Sequence, residues 1–389
     1  MASGQTVVFM DFSLTEEQRL LLDSVDRFME QHLPSSEVRR RDAAAEPPYF
    51  LLPLMGDMGL LGLATPAEVG GGGSDWQTLA LVQERLGYHA TMAALLLNRV
   101  ACFGIQTLLS SGSASQRERY LPTLLSGEGS FALALTEAGA GSDAGAVITR
   151  AHPESDGWRV NGRKIWISGA EAATRMVVAC RTGEQKSGSG GISLLMIPPD
   201  AEGVSMTPLE KVGNRCSLTW EVAFDEVFVP TDELLGDVGE GFRALRSTLF
   251  YARTGLAAAV TGTAQACVDL AAEHARDRVQ FGRPISQFQS IRHRLARMQT
   301  QVDQARLLTY RLAWMIDSGA PCEREAAMAK WATTEALKQV TDEGMQIMAS
   351  RGYSSDSDMQ RYWRDARLYT FGEGSSEIQL DLIGRSMNL

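Results

Sequence analysis

The chain has 389 residues, 44% of them hydrophobic and 22% charged, with a formal net charge of −10. That length exceeds the ~100–200 residues usual for one domain, so two or three packed units with a large core are expected. The acidic balance argues against general binding to nucleic acid or to an anionic membrane surface. No apolar run reaches the ~18 residues of a membrane span. The first ten residues lack the basic start and apolar core of a secretory signal and read as a short disordered or strand-like extension. Five scattered cysteines, with no CxxC pair and no histidines at ligand spacing, fit a reducing cytoplasm and no metal site.

In chain order, Ser13-Leu14-Thr15-Glu16 has capping-box spacing ahead of Leu20, Leu21, Val25, Phe28 and Met29, which recur at helix period. Helices follow around Tyr49–Met58, Trp76–Tyr88 and Ala90–Ser110. The run Gly70–Gly73 has no Gly-Lys-Ser/Thr after it and reads as a loop, not a phosphate cradle. From about Ser130 the texture turns to short β-formers: Phe131–Thr136, Trp158–Val160, Arg175–Arg181, Gly191–Ile197 and Thr219–Phe224. Turn residues separate them, as in a small antiparallel sheet or barrel. Gly183–Gly191 reads as a Gly/Ser-rich hairpin loop. Long helix-period stretches return at Phe242–His274, Ile285–Ser318 and Glu323–Ala349. The plan is α+β: a helical domain over residues 10–130, a β domain over 131–236 and a helical domain over 237–389.

Four segments carry chemistry. Thr136-Glu137-Ala138-Gly139-Ala140-Gly141-Ser142-Asp143 leaves a strand and exposes N–H groups and hydroxyls to an anion or a polar ring edge. Asn161–Gly169 places Trp166 beside Ser168, an indole and a hydroxyl suited to a flat ring. Arg278–Ile285, followed by Phe288-Gln289, joins two long helices with arginines suited to phosphate oxygens. Last comes Arg364-Asp365-Ala366-Arg367 and then Phe371-Gly372-Glu373-Gly374-Ser375-Ser376-Glu377. Glu373 stands between two glycines at a turn between helices, where glycine allows positive φ and close approach of a flat ligand. A carboxylate held there can remove a proton from something bound beneath it. Each segment alone also serves as ordinary loop, core or turn.

Together, in this order and spacing, they resemble the acyl-CoA dehydrogenase flavoenzyme family from about Met10 to Arg385. Smaller matches include Gln116–Gly127 and Phe224–Pro230. The resemblance implies an N-terminal helical domain, a middle antiparallel β domain and a C-terminal four-helix bundle, with FAD between the last two. It also implies a homotetramer built as a dimer of dimers. Leu133, Leu135, Thr136, Ser142, Trp166 and Ser168 would surround the flavin and pyrophosphate. Arg278, Phe281 and Gln289 would meet the pyrophosphate and adenosine across a subunit interface. Gln346, Gly352, Ser375 and Glu377 fall where the family again touches FAD.

By the same resemblance Glu373 is the base that takes the α-proton of an acyl thioester. Its own N–H and a ribityl hydroxyl would hold the thioester carbonyl, and the β-hydride would go to the flavin. The alternative base position of some relatives is Ala252 here. Ser142, Phe250, Arg253, Gly372 and Gly374 would line the substrate, and electron-transferring flavoprotein would take the electrons. Three departures bear on the substrate: Gly372 replaces a frequent Tyr, Phe250 replaces an Asp that meets the pantetheine arm, and Ala349-Ser350 replaces Gly-Gly. A thioester on CoA or on a carrier protein is therefore expected. An oxygen-using oxidase on the same fold, or a non-catalytic assembly subunit, is the further alternative.

Overall fold

The computed structural model describes residues 13–183, 188 and 190–388. The N-terminal Met1–Met10 extension and most of the Gly183–Gly191 loop lie outside the described residues. The first layer is helical: α1 (Glu16–His32), α2 (Ser35–Ala44), α3 (Leu51–Asp57), α4 (Trp76–His89), α5 (Thr91–Leu97), α6 (Ile105–Ser111) and α7 (Ala114–Ser126). The α1 cap is Thr15 with Gln18, each side chain bonding the other's backbone N–H, two residues beyond the Ser13–Glu16 spacing read from sequence. Between α5 and α6 the helix does not continue as α. Residues Asn98–Gly104 form π turns, and the Ile105 N–H reaches the Val100 carbonyl. Such wide turns are rare and recur at functional sites.

The middle layer has eight strands: β1 (Phe131–Ala134), β2 (Arg150–Pro153), β3 (Gly157–Ser168), β4 (Arg175–Arg181), β5 (Ile192–Ile197), β6 (Val204–Pro208), β7 (Thr219–Pro230) and β8 (Leu234–Leu235). They run β6-β7-β3-β2-β4-β5-β8, with β1 beside β4. The sheet is mixed: β1 and β2 both pair parallel with β4, which corrects the expectation of a wholly antiparallel sheet. The chain leaves β1 through the loop 135–149 before re-entering as β2, so the two strands reach β4 in its own direction. β2 and β6 were not anticipated. Their faces are largely exposed, so neither shows the apolar alternation that marks a half-buried strand.

The third layer is α8 (Gly241–Asp277), a short hairpin β9 (Val279–Gln280) with β10 (Arg283–Pro284), then α9 (Gln289–Asp317), α10 (Glu323–Met348), α11 (Ser350–Tyr353), α12 (Asp358–Tyr369) and α13 (Ser376–Ser386). The stretch Thr91–Ser111 and α8 are long and apolar enough to span a membrane by composition, unlike the expectation from run length, but most of each is buried inside the protein. Their apolarity covers the core. All five cysteines are buried and unpaired.

α10 ends at Ala349 with φ 49° and ψ −132°. This region favours glycine, and an alanine held there costs on the order of 1–3 kcal/mol. Ala349→Gly should therefore raise the urea midpoint of unfolding by an amount worth up to about 1 kcal/mol, once the unfolded-chain entropy of glycine is subtracted. A lower midpoint would mean that the alanine is not strained.

Candidate active site

The Glu373 turn sits between α12 and α13, and its geometry differs from expectation in one respect. Glu373 itself has φ 55° and Gly374 has φ 94°, whereas Gly372 is not in the left-handed region. The residue that needs to be glycine is Gly374: a Cβ there would lie 2.8 Å from Gln379 Nε2. Ser375 then caps α13, its hydroxyl accepting from the Ile378 N–H at 3.4 Å. Ser376 Oγ bonds Glu335 Oε1 at 2.8 Å. Glu377 is exposed.

Two cations hold the turn by its carbonyls and leave the carboxylate free. Arg253 Nε donates to the Glu373 carbonyl at 3.2 Å, and Lys330 Nζ donates to the Gly374 carbonyl at 2.6 Å. Glu373 Oε2 is sealed from solvent with no hydrogen-bond partner. Burial pushes the Glu373 carboxyl above the usual carboxylate range, against the opposing pull of Arg253 and Lys330. Burial likewise depresses the Lys330 ammonium to about 8. Lys330 was not anticipated from sequence. The available signal is a lone lysine in the otherwise small and apolar run Ala326-Ala327-Met328-Ala329, on a face that the helix buries completely.

The Arg364-Asp365 motif works as a dock. Asp365 Oδ1 accepts from the Asn214 N–H of the β domain at 2.5 Å. Arg364 donates to Asp42 Oδ2 of α2 at 2.5 Å and to the Val212 carbonyl at 2.9 Å. One turn of α12 thus meets all three layers and sets the position from which the Glu373 turn projects.

A second set of predicted residues lies on β1, β3 and the loop between β1 and β2. The buried pair Lys164–Glu137 closes at 2.7 Å. Lys164 Nζ also donates to the Leu135 carbonyl at 3.0 Å. The Ile148 and Thr149 N–H groups donate to Glu137 at 2.7 and 2.9 Å. Burial alone would push the Glu137 carboxyl up, but Lys164 and these donors outweigh it and hold it low. The pair and these donors tie the start of the β1–β2 connection, at Leu135 and Glu137, to its end, at Ile148 and Thr149. Leu133, Leu135 and Thr136 are half-buried along its start, and Ser142 is exposed. The Ile165 N–H reaches the Thr136 carbonyl at 2.9 Å. That places Trp166 beside the loop, 54% exposed and with φ 64°. Ser168 Oγ lies 3.2 Å from Thr219 Oγ1.

The π stretch touches both sets. A Cβ on Gly255, two residues past Arg253, would strike Asn98 Oδ1 at 2.1 Å and Cys102 Sγ at 2.8 Å, so α8 requires glycine to approach it. Arg99, the next residue of that stretch, presses against Gly169 just beyond Ser168. Phe250 lies one residue before Tyr251, with ring centroids 4.6 Å apart, and Tyr251 stacks on Trp76 at 4.8 Å. Gly372 has only the Leu368 carbonyl near a would-be Cβ, at 3.4 Å.

The remaining predicted residues lie elsewhere on the chain. Arg278, Phe281, Gln289 and Gln346 are exposed, Phe281 at 93%. Arg278 follows the last residue of the helix carrying Arg253, roughly 37 Å away along its axis at 1.5 Å per residue. Gly352 is buried in α11, where a Cβ would meet Met348 Cβ at 2.8 Å.

The site thus combines a sealed, unpartnered carboxylate oxygen on the Glu373 turn with an exposed indole beside an open glycine-containing loop. The sequence patterns of the acyl-CoA dehydrogenase N-terminal, middle and C-terminal domains match residues 15–128, 132–227 and 239–388. The chain belongs to the acyl-CoA dehydrogenase family, whose members are FAD-dependent oxidoreductases. It is 36% identical over 379 residues to a probable acyl-CoA dehydrogenase of Bacillus subtilis, covering 97% of this chain and 100% of that one. Butyryl-CoA dehydrogenase of Megasphaera elsdenii superposes with a TM-score of 0.93 at 32% identity, over 98% of this chain and 100% of that one. The prolyl acyl carrier protein oxidase AnaB superposes with a TM-score of 0.92 at 27% identity, over 97% and 100%.

The residues present fit FAD. Trp166 exposes a flat apolar face beside the Thr136–Ser142 loop, and Gly139 and Gly141 on that loop have nothing within 4 Å of a would-be Cβ. Leu133, Leu135, Thr136, Ser142, Trp166 and Ser168 would hold it on this subunit.

Proposed function

We propose that the chain dehydrogenates an acyl thioester between its α and β carbons, with Glu373 as the base. The observation carrying this reading is the solvent-sealed, unpartnered Glu373 Oε2 on a turn whose carbonyls are tied by two cations. The carboxylate has no competing donor, so the α-proton of a bound thioester is its acceptor's match. Burial raises its proton affinity toward that of a working general base. The Glu373 N–H makes no backbone bond among the described residues and is available to the thioester carbonyl, where enolate charge develops. When bound, FAD supplies the acceptor for the hydride leaving the β carbon. Anaerobic titration of the holoenzyme with short, medium and branched acyl-CoAs, and with the same groups on a carrier protein, tests the reading. Bleaching of the flavin absorbance supports it; an absorbance unchanged by every ester removes it.

One observation favours a carrier-bound substrate. Phe250 is packed in an aromatic column with Tyr251 and Trp76 and offers no polar contact to a pantetheine arm. The likeness to AnaB supports keeping the carrier-bound and oxidase readings, which the carrier arm of the titration and oxygen consumption separate. The separation of Arg278, Phe281 and Gln289 from the Glu373 turn supports a FAD site completed by a second subunit in a homotetramer, with electron-transferring flavoprotein as acceptor.

The charges set a pH profile. Glu373 must be ionised, so kcat/KM should rise with pH through a value above the ordinary 4.5. It should fall near pH 8 as Lys330 loses its proton and the Gly374 carbonyl loses a charge-assisted donor. Lys330→Met should move the acid limb upward, since a positive neighbour that favours the carboxylate is gone. An acid limb that stays in place would show that Lys330 does not act on Glu373.

A further inference from the structure

Lys211 is a cation that no step above uses. It lies half-buried on the loop between β6 and β7 and makes no ion pair among the described residues. That loop is held on α12: Arg364 Nη1 donates to the Val212 carbonyl at 2.9 Å, and Asp365 accepts from the Asn214 N–H. Lys211 Nζ donates to the Ser217 carbonyl and, at 2.7 Å, to Thr219 Oγ1. A half-buried ammonium with neutral acceptors and no counter-ion is a costly way to close a loop.

Its position sets the direction of the hydrogen bonds next to it. Thr219 stands directly opposite Ser168 across the β3–β7 ladder, and their hydroxyl oxygens are 3.2 Å apart. Thr219 Oγ1 is also 3.1 Å from the Ser217 carbonyl, so its one proton has two destinations. The Lys211 ammonium already serves that carbonyl, which leaves the Thr219 O–H for Ser168 Oγ. Ser168 then keeps its own single proton to donate outward. Without the ammonium, Thr219 turns to the Ser217 carbonyl and Ser168 turns inward to Thr219. Outward is the face of the Trp166 indole: Trp166 and Ser168 are exposed, while Ile167 between them is buried.

We infer that Lys211 is a positioning residue for the cofactor, which through Thr219 fixes Ser168 as an outward hydrogen-bond donor to the flavin end of FAD. The inference rests on the FAD fit described above and does not depend on the role given to Glu373. The pyrimidine edge of an oxidised flavin presents mostly acceptors, which a fixed O–H matches. Burial depresses the Lys211 ammonium to about 8. Asp365 of α12, Glu171 just beyond β3 and Cys216 of its own loop pull it up, and Arg99 of the π stretch pushes it down. The donor is therefore in place at neutral pH and is lost as pH rises through that value.

The test uses the FAD-loaded protein without substrate, and reads the FAD dissociation constant from flavin fluorescence on dilution. Lys211→Met should raise that constant about 3–10-fold, the range of one net hydrogen bond, and shift the flavin absorbance maxima. Lys211→Arg should restore most of the loss. Thr219→Val, which keeps the ammonium and removes the relay, should match Lys211→Met. In a Ser168→Ala background Lys211→Met should have no further effect. The wild-type constant should rise by the same factor as pH passes through about 8, and in Lys211→Met it should stay flat. An effect of Lys211→Met that persists in full without the Ser168 hydroxyl overturns the inference, as does a pH dependence that the substitution leaves unchanged. Either result makes Lys211 a prop for its loop. A protein that shows these shifts but is reduced by no acyl thioester ends the dehydrogenase reading and leaves this one standing.

Discussion

Glu373→Gln is expected to lower turnover on the order of 10³–10⁴-fold while the protein keeps its FAD and melts at a higher temperature. The loss follows from the role proposed for Glu373 as general base, a contribution that runs to about 10²–10⁴, with no other carboxylate held on that turn. The gain in stability follows from burial. Glu373 is raised because its ionised form is disfavoured in the fold. A group with a raised folded pKa binds more protons when folded, so its contribution to stability falls as pH rises from the ordinary 4.5 through the raised value. At neutral pH the carboxylate is thus a liability that an amide of the same shape relieves. The melting difference should shrink at pH 4, where both forms are neutral. Steady-state kinetics and thermal melts at two pH values check this. A variant that retains wild-type turnover, or melts lower at pH 7, contradicts it.

Lys164→Met should be the most damaging change away from the base, costing about 3–5 kcal/mol, the range for removing one partner of a buried pair. Lys164 is fully buried, and its ammonium meets both Glu137 and the Leu135 carbonyl. Without it Glu137 keeps two backbone donors but loses its counter-charge, and the β1–β2 connection loses a tie. Purified Lys164→Met should therefore show both a large drop in the urea midpoint and a lower flavin-to-protein ratio. The double variant Glu137→Gln/Lys164→Met should recover part of the stability, because no lone charge remains. A single variant as stable and as yellow as wild type would mean the pair is unimportant.

Much of this site was legible in the sequence because its parts are local. The Glu373 turn, the Thr136–Ser142 loop and the Trp166–Ser168 strand end each carry glycines, hydroxyls or aromatics at short spacing. What the sequence did not show depends on contacts between distant residues. Lys330 reaches Gly374 across 44 positions, and Lys164 reaches Glu137 across 27. No local pattern announces either partner. The π stretch was hidden for a different reason: it continues the long apolar run Ala90–Ser110 that reads as one helix, and only packing against Gly255 marks it out. Gly372 was assigned a backbone freedom that in fact belongs to Glu373 and Gly374. The helix boundaries of α4 and α10 came within two residues because strong apolar period ran to their ends, whereas exposed β2 and β6 had no such signal.

The central claim, that Glu373 takes the α-proton, is tested most directly by solvent exchange. FAD-loaded wild type and Glu373→Gln are incubated anaerobically in D₂O with an acyl thioester, and the α-proton signal is followed by NMR. Wild type should wash deuterium into the α carbon, and Glu373→Gln with equal flavin content should leave it untouched. Exchange at the same rate in both would place the base elsewhere.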